Sequence, residues 1–231
     1  MSTLAIDTST PRGSVALLRD EQLVAEEFFS RALVGRVTSR GDVGQSNAPA
    51  VVSGPTTDLF SAIAKLNPGQ FDEVLVGVGP GSFTGIRAGI AAAKGLALPR
   101  RVPIKAANSF DAIALTALPL MPRDCPQLCV LGDARRDEVY FALYDRAGRP
   151  VGECRIGALE AIEVHNPIWF VSAEMEKYRG SLRETFGGFA SLCETPVFPS
   201  AALLQPSALP LEPIYLRLPD YKTIHGTNQV R

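Results

Sequence analysis

The stretch V-L-V-G-V-G-P-G-S-F-T-G-I-R-A-G-I-A-A-A-K-G-L-A, Val74 to Ala97, decides how this 231-residue chain is read. Its apolar opening predicts a buried strand over 71–78. Its second half places Ile86, Ile90, Ala93 and Ala97 on one stripe, which predicts a helix over 84–98 stopped by Pro99. Ser82 or Thr84 is the expected N-cap. A glycine-rich turn between strand and helix offers unpaired N–H groups and the positive end of the helix dipole, a setting that suits an anion. Gly79, Gly81, Ser82, Thr84 and Gly85 are therefore candidate nucleotide- or anion-binding residues.

The known phosphate and nucleophile loops do not fit letter by letter. A P-loop needs G-x-x-x-x-G-K-[ST], whereas Gly79 and Gly85 are one residue too far apart and are followed by Ile86-Arg87. A dinucleotide fingerprint started at Gly79 ends on Thr84 instead of glycine. A nucleophile elbow centred on Ser82 has Pro80 where glycine belongs. Gly85 and Gly89 stand one turn apart, with Ala93 a turn further, and make a smooth face for close packing. Packing with capping, anion binding and catalysis all remain open on these residues.

Outward from this stretch the chain alternates strands and helices. Short β-branched runs at 3–6, 15–18 and 23–29 predict an antiparallel meander, with turn chemistry in T-S-T-P-R-G-S and R-D-E-Q. Residues 39–56 read as a long loop, and helical spacing resumes over 56–66, with Leu59, Ile63 and Leu66 on one face. A short strand at 102–107, a helix capped by Ser109 and running through Leu118, and a turn at 119–126 follow. A second meander at 128–131 and 139–144, a strand at 168–172 and a helix at 174–186 then repeat the opening order, which implies two related α/β halves. The tail from Lys222 is polar.

Bulk composition narrows the function. Lys+Arg number 23 against 24 Asp+Glu, a net charge of −1, so a direct nucleic-acid role lacks the expected basic surplus. Cys125 and Cys129 form C-x-x-x-C with no second pair, which is not a zinc framework, and reduced thiols in a cytoplasmic protein are expected. The start M-S-T-L-A-I-D reads as no signal peptide, and no apolar run is long enough for a membrane span. The two histidines, His165 and His225, lie in a turn and in the tail, so no histidine-rich metal site is expected. Asp133, Arg135, Arg136, Asp137 and Glu138 form a charged shoulder, either a solvated face or a partner contact.

These residues carry a family resemblance. Gly77 to Ala97 resembles the signature of the bacterial TsaB (YeaZ) family, and the likeness extends to L-A-I-D-T-S-T (Leu4 to Thr10), G-D-A-R-R-D-E-V-Y (Gly132 to Tyr140) and P-I-Y-L-R (Pro213 to Arg217). The resemblance implies an actin/Hsp70-like (ASKHA) α/β fold of two subdomains, each with a mixed sheet and helices. The divisions expected are 1–102 and 103–231, with the last segment packing back as the open alternative. It implies a paralogue of TsaD, the subunit that attaches threonylcarbamoyl to N6 of adenosine 37 in tRNA. TsaD-type subunits hold a metal on an H-x-x-x-H helix that this chain lacks. An accessory, noncatalytic subunit is therefore implied, with no metal and no cofactor of its own, ATP and Mg belonging to the complex. Its implied partners are a TsaD-type subunit paired through N-terminal helices, a TsaE-type ATPase, a second copy as homodimer, and tRNA through the complex. Pro80, Phe83, Arg87 and Gly89, with Phe60 and Ile63, are the implied signature and interface residues.

One region departs from the family pattern: residues 31–56 hold no histidine, and the expected helix is displaced to 56–66. A rival reading is an actin-like ATPase or phosphotransferase, with Asp7 facing metal and phosphate beside the Gly79–Gly85 loop; the plain alternative at Asp7 is an Asx turn. A metalloprotease is the third reading, and the absent metal ligands argue against it.

Overall fold

The computed structural model describes residues 1–30 and 58–216. The expected loop at 39–56, the departure at 31–56, Arg217, the polar tail and His225 lie outside the described residues.

Three antiparallel strands open the chain: β1 (Ser2–Asp7), β2 (Arg12–Arg19) and β3 (Gln22–Ser30). Helix α1 (Leu59–Leu66) starts on Asp58, whose carboxylate accepts the Ser61 N–H at 2.8 Å, so the described helix begins later than the expected 56. Strand β4 (Glu73–Gly77) enters beside β1 in parallel, and α2 (Phe83–Ala97) follows with Ser82 as N-cap. Strand β5 (Ile104–Ala107) pairs in parallel with β4. Helix α3 (Ser109–Ala117) is capped by Asn108 and not by Ser109, which is drawn inward. Then come β6 (Gln127–Arg135), β7 (Glu138–Asp145), β8 (Arg155–Gly157), β9 (Ile168–Ser172), α4 (Met175–Phe186), β10 (Ala190–Leu192) and β11 (Pro206–Ser207). Strand β6 runs on through Gly132–Arg135, past the end expected at 131. The chain reverses instead through Arg136 and Asp137, both with positive φ.

The two sheets repeat one plan. The first has the order β11-β5-β4-β1-β2-β3 and the second β10-β9-β6-β7-β8. In each, the first strand sits centrally, with parallel partners on one side and an antiparallel meander on the other. This is the actin/Hsp70-like arrangement implied by the resemblance. Strand β5, beyond the division expected at 102, still pairs with β4 in the first sheet. The late segment returns: β11 pairs with β5, and the Ile214 N–H donates to Val78 O at 3.0 Å.

Apolar side chains set the layers. Leu4, Ile6, Val15, Val74 and Val76 on one face of the first sheet meet Ala62, Ile63 and Leu66 of α1 and Ile86, Ile90, Ala93 and Ala97 of α2. The opposite face is lined by Ala5, Ala16 and Ala107, small enough for Ala112 of α3 and for Ala201 and Leu204 to lie close. The other side of α3 presents Phe110, Ile113 and Ala117 to Leu128, Val130 and Trp169 of the second sheet. Met175, Tyr178 and Leu182 of α4 cover the far face of that sheet. Helix α3 is thus shared between both sheets.

A polar seam beside α3 ties early chain to late chain. The buried Ser14 hydroxyl donates to Pro199 O and accepts the Ala201 N–H, both at 2.8 Å. The Glu26 carboxylate accepts from the Ser200 hydroxyl at 2.8 Å and 3.0 Å. The Ser14→Ala variant strands a buried N–H and is expected to lose about 1–3 kcal/mol of stability in urea unfolding. An unchanged midpoint would show that the seam contributes nothing.

Candidate functional site

The parallel strands β1 and β4 end side by side, and this is where ligands gather in α/β sheets. Asp7 closes β1 there and is 0% exposed. Its Oδ1 accepts the Ser9 N–H at 2.8 Å and the Ser9 hydroxyl at 2.7 Å, the geometry of an Asx turn. Its Oδ2 is buried without a hydrogen bond. Gly77 and the Ser109 hydroxyl lie beside it, and a Cβ on Gly77 would strike Oδ2. Burial pushes the Asp7 carboxyl up from its ordinary value, against Ser109 and Ser9, which favour the charged form.

The glycine loop folds onto this turn. Ser82 N–H donates to Ser9 O at 2.7 Å, and a side chain on Gly81 would collide with that carbonyl. Gly79 has φ +97°, a conformation other residues rarely adopt; its N–H donates to Ser109 Oγ at 3.1 Å, and its carbonyl accepts the Ser109 N–H at 2.9 Å. The Gly79–Pro80 peptide is cis. The Thr8 hydroxyl donates to Gly85 O at 2.8 Å and rests on Gly89, where a Cβ would meet it. The close approach that glycine permits is therefore used by the chain on itself. Asp7, Gly79, Gly81, Ser82 and Gly85 do come together, while Thr84 points outward. Ser9, Gly81 and Gly77 pack around the Asp7 carboxyl, whose pKa burial raises.

The second half holds its counterpart in Asp133, near the end of β6. Its carboxylate pairs with Lys177 Nζ at 2.8 Å and Arg135 at 3.2 Å. Burial alone would raise its pKa; the Lys177 and Arg135 contacts outweigh that and hold it low. The charged shoulder here is an ion cluster within the chain whose cations, Arg135 and Lys177, face solvent. Among the described residues no group of three or more His, Cys, Asp or Glu could hold a metal ion, and His165 is exposed.

The implied interface residues divide. Pro80, Gly89 and Ile63 are buried, and Ile63 sits 8% exposed in the first core, so these three act inside the fold. Phe60 is 64% exposed and Phe83 47%. Arg87 lies 5.1 Å from the Phe83 ring centroid, and Tyr215 5.6 Å from the same ring. Sequence reasoning missed Ala88, Ala91 and Gly95, which form an exposed stripe on α2 with Leu98 beyond it at 80% exposure. Their spacing was readable; attention to the inward stripe concealed it.

An actin-like chain with a self-filled loop is what the fold and the site define. The family model for TsaD, tRNA N6-adenosine threonylcarbamoyltransferase, matches residues 53–183. An uncharacterized protein of Mycobacterium tuberculosis is 32% identical over 231 residues, covering 96% of this chain and 95% of the relative. The tRNA threonylcarbamoyladenosine biosynthesis protein TsaB of Escherichia coli is 30% identical over 177 residues, covering 75% of this chain and 69% of that protein. The Haemophilus influenzae TsaB is 34% identical over 143 residues, 62% of this chain and 53% of that protein. The fold matches the crystal structure of a Pseudomonas aeruginosa protein with similarity to peptidase YEAZ, with TM-score 0.66 at 22% identity, over 94% of this chain and 99% of that one. The chain belongs to the TsaB (YeaZ) family, which takes part in tRNA threonylcarbamoyladenosine biosynthesis. No described helix is long and apolar enough to cross a membrane.

Two outcomes test the packing of the site. Gly89→Ala adds a better helix former, yet it should cost about 1–3 kcal/mol in chemical unfolding by striking Thr8. Asp7 has a folded pKa above its unfolded one, so its charged form opposes folding. Wild-type stability should fall as pH rises from the unfolded carboxylate value of about 4 through the folded one. The Asp7→Asn variant should lack that fall and be at least as stable at pH 7. A variant less stable at neutral pH with an unchanged pH profile would contradict this.

Proposed function

We propose that this chain is a noncatalytic partner subunit in the synthesis of N6-threonylcarbamoyladenosine in tRNA, docking a TsaD-type subunit through the outward face of α1 and α2. The outward face of α2 carries the reading. A surface helix normally turns charged residues to water. Here Ala88, Ala91 and Gly95 lie exposed, and a Cβ on Gly95 would meet nothing within 4 Å. Phe83 and Leu98 flank them, and Phe60 and Ala64 are exposed on α1. Small residues let a second helix approach closely, and exposed aromatics are the usual anchors of such contacts.

The loop geometry supports the noncatalytic part: the residues that would face a nucleotide are spent on internal contacts. Catalysis then rests with the TsaD-type subunit, ATP and magnesium with that subunit and a TsaE-type ATPase, and tRNA is met through the assembly. The near-neutral charge of this chain agrees with an indirect tRNA contact.

A binary pull-down with the TsaD-type subunit, together with rescue of a TsaB-deficient strain, tests the proposal. Gly95→Leu is expected to weaken the pair at least about tenfold while keeping or raising the melting temperature, since leucine gains about 1 kcal/mol over glycine in a helix. Phe83→Asp should also weaken it. Failure of the wild-type chain to bind or rescue, or wild-type binding by both variants, would overturn the reading.

A further inference from the structure

One arginine of the first half is held between aromatic rings. Arg12 opens β2 just past the turn that follows Asp7, so it stands at the end of the first sheet where β1 and β4 finish. Strands β2 and β3 pair Arg12 with Ser30 and Ser14 with Phe28, which sets Arg12 and Phe28 diagonally on one face. The Arg12 guanidinium lies 4.3 Å from the Phe28 ring centroid and 5.6 Å from that of Phe198. Phe198 follows Val197, whose N–H donates to Ser172 O of the second sheet at 3.0 Å, so the two rings come from opposite halves. Arg12 is exposed, Phe28 is 37% exposed and Phe198 is half-buried. Glu26, on the same face of β3, is engaged by the Ser200 hydroxyl. Among the described residues no carboxylate lies within ion-pair distance of Arg12.

We propose that Arg12 and Phe28 form an RNA contact: the guanidinium takes a backbone phosphate, and the exposed side of the Phe28 ring stacks an unpaired base. The proposal rests on the reading that tRNA is met in the assembly, and adds the part of this chain that touches it. A guanidinium presents its N–H donors in a fixed fork that matches a phosphate. Stacking on the two rings holds that fork in place before any ligand arrives, so less side-chain freedom is lost on contact. The charge is local, which suits a chain whose net charge is only −1. A carboxylate of a partner protein would use the fork equally well, but it has no use for the exposed ring beside it. Single-stranded RNA does, because unstacked bases lie on aromatic rings next to the cations that hold their phosphates.

The test follows binding of a labelled RNA hairpin with a single-stranded loop to the complex of the full chain with the TsaD-type subunit, across a salt series. Arg12→Gln should weaken binding about fivefold to tenfold and make the slope of log affinity against log salt shallower by about 0.7, the share of one single-strand phosphate. Arg12→Lys keeps the charge and should keep the slope. Phe28→Leu should weaken binding about tenfold with the slope unchanged, because stacking releases no counterion. If Arg12 only clasps the two halves, the Gln variant melts at a lower temperature with RNA affinity and slope unmoved; that result overturns the proposal while the docking reading stands. A Gln variant that weakens the protein pair about tenfold, with the RNA affinity of the saturated complex unchanged, would assign the fork to a protein carboxylate and overturn it too. So would a wild-type complex that binds no RNA. If wild type forms no complex, both readings fall.

Discussion

The contact of the β1–β2 turn with the glycine loop is the constraint on which the rest of this molecule depends. Ser9 holds Asp7 with its N–H and hydroxyl, and its carbonyl receives the Ser82 N–H. Ser109, at the start of α3, exchanges hydrogen bonds with Gly79 from the other side. Three separated pieces of chain therefore meet within one largely buried cluster. Because α3 is also the layer between the sheets, this cluster fixes the crossover from the first half to the second. Glycine at 79, 81 and 89 is what lets the backbones close to this distance.

The repeated sheet plan gives each half an acid near the end of its central strand, and their surroundings shift the two in opposite directions. Asp7 is enclosed by its own neighbours, and burial raises its pKa. Asp133 stays ionised and is matched by Lys177 and Arg135. Desolvation prevails where no cation is near, and charge pairing prevails where one is. Both devices leave a carboxyl whose field is satisfied within the chain. Different surroundings thus shift two acids near the ends of central strands in opposite directions.

Much of this was legible in the residues. The strands and long helices announced themselves because apolar periodicity reports burial directly, as at Ile86, Ile90, Ala93 and Ala97. The strands at 155–157, 190–192 and 206–207 were not visible: two or three residues carry no period, and only their neighbours make them strands. The N-cap of α3 was misplaced by one residue because Asn108 and Ser109 are both good caps, and only the pull of Gly79 decides between them. At the site, the failure of the loop against known phosphate motifs was readable, but the reason for its glycines was not. Their partners, Thr8 and Ser9, lie some seventy residues away in the chain. Pro80, Gly89 and Ile63, expected as signature and interface residues, face inward.

The return of the chain at β11 and Ile214 has a consequence for the order of synthesis. The first sheet draws its edge strand and part of its apolar cover, through Leu209, Leu211 and Ile214, from the far end of the described chain. A ribosome that has released β1 to β5 has not yet made the pieces that close them. The opening half emerges as a sheet with an unguarded edge and waits through the making of the whole second half for its completion. Such non-local closure slows folding and prolongs exposure of a strand edge. The first sheet is closed by residues 206–214, so loss of that short late segment weakens a part of the fold made before it.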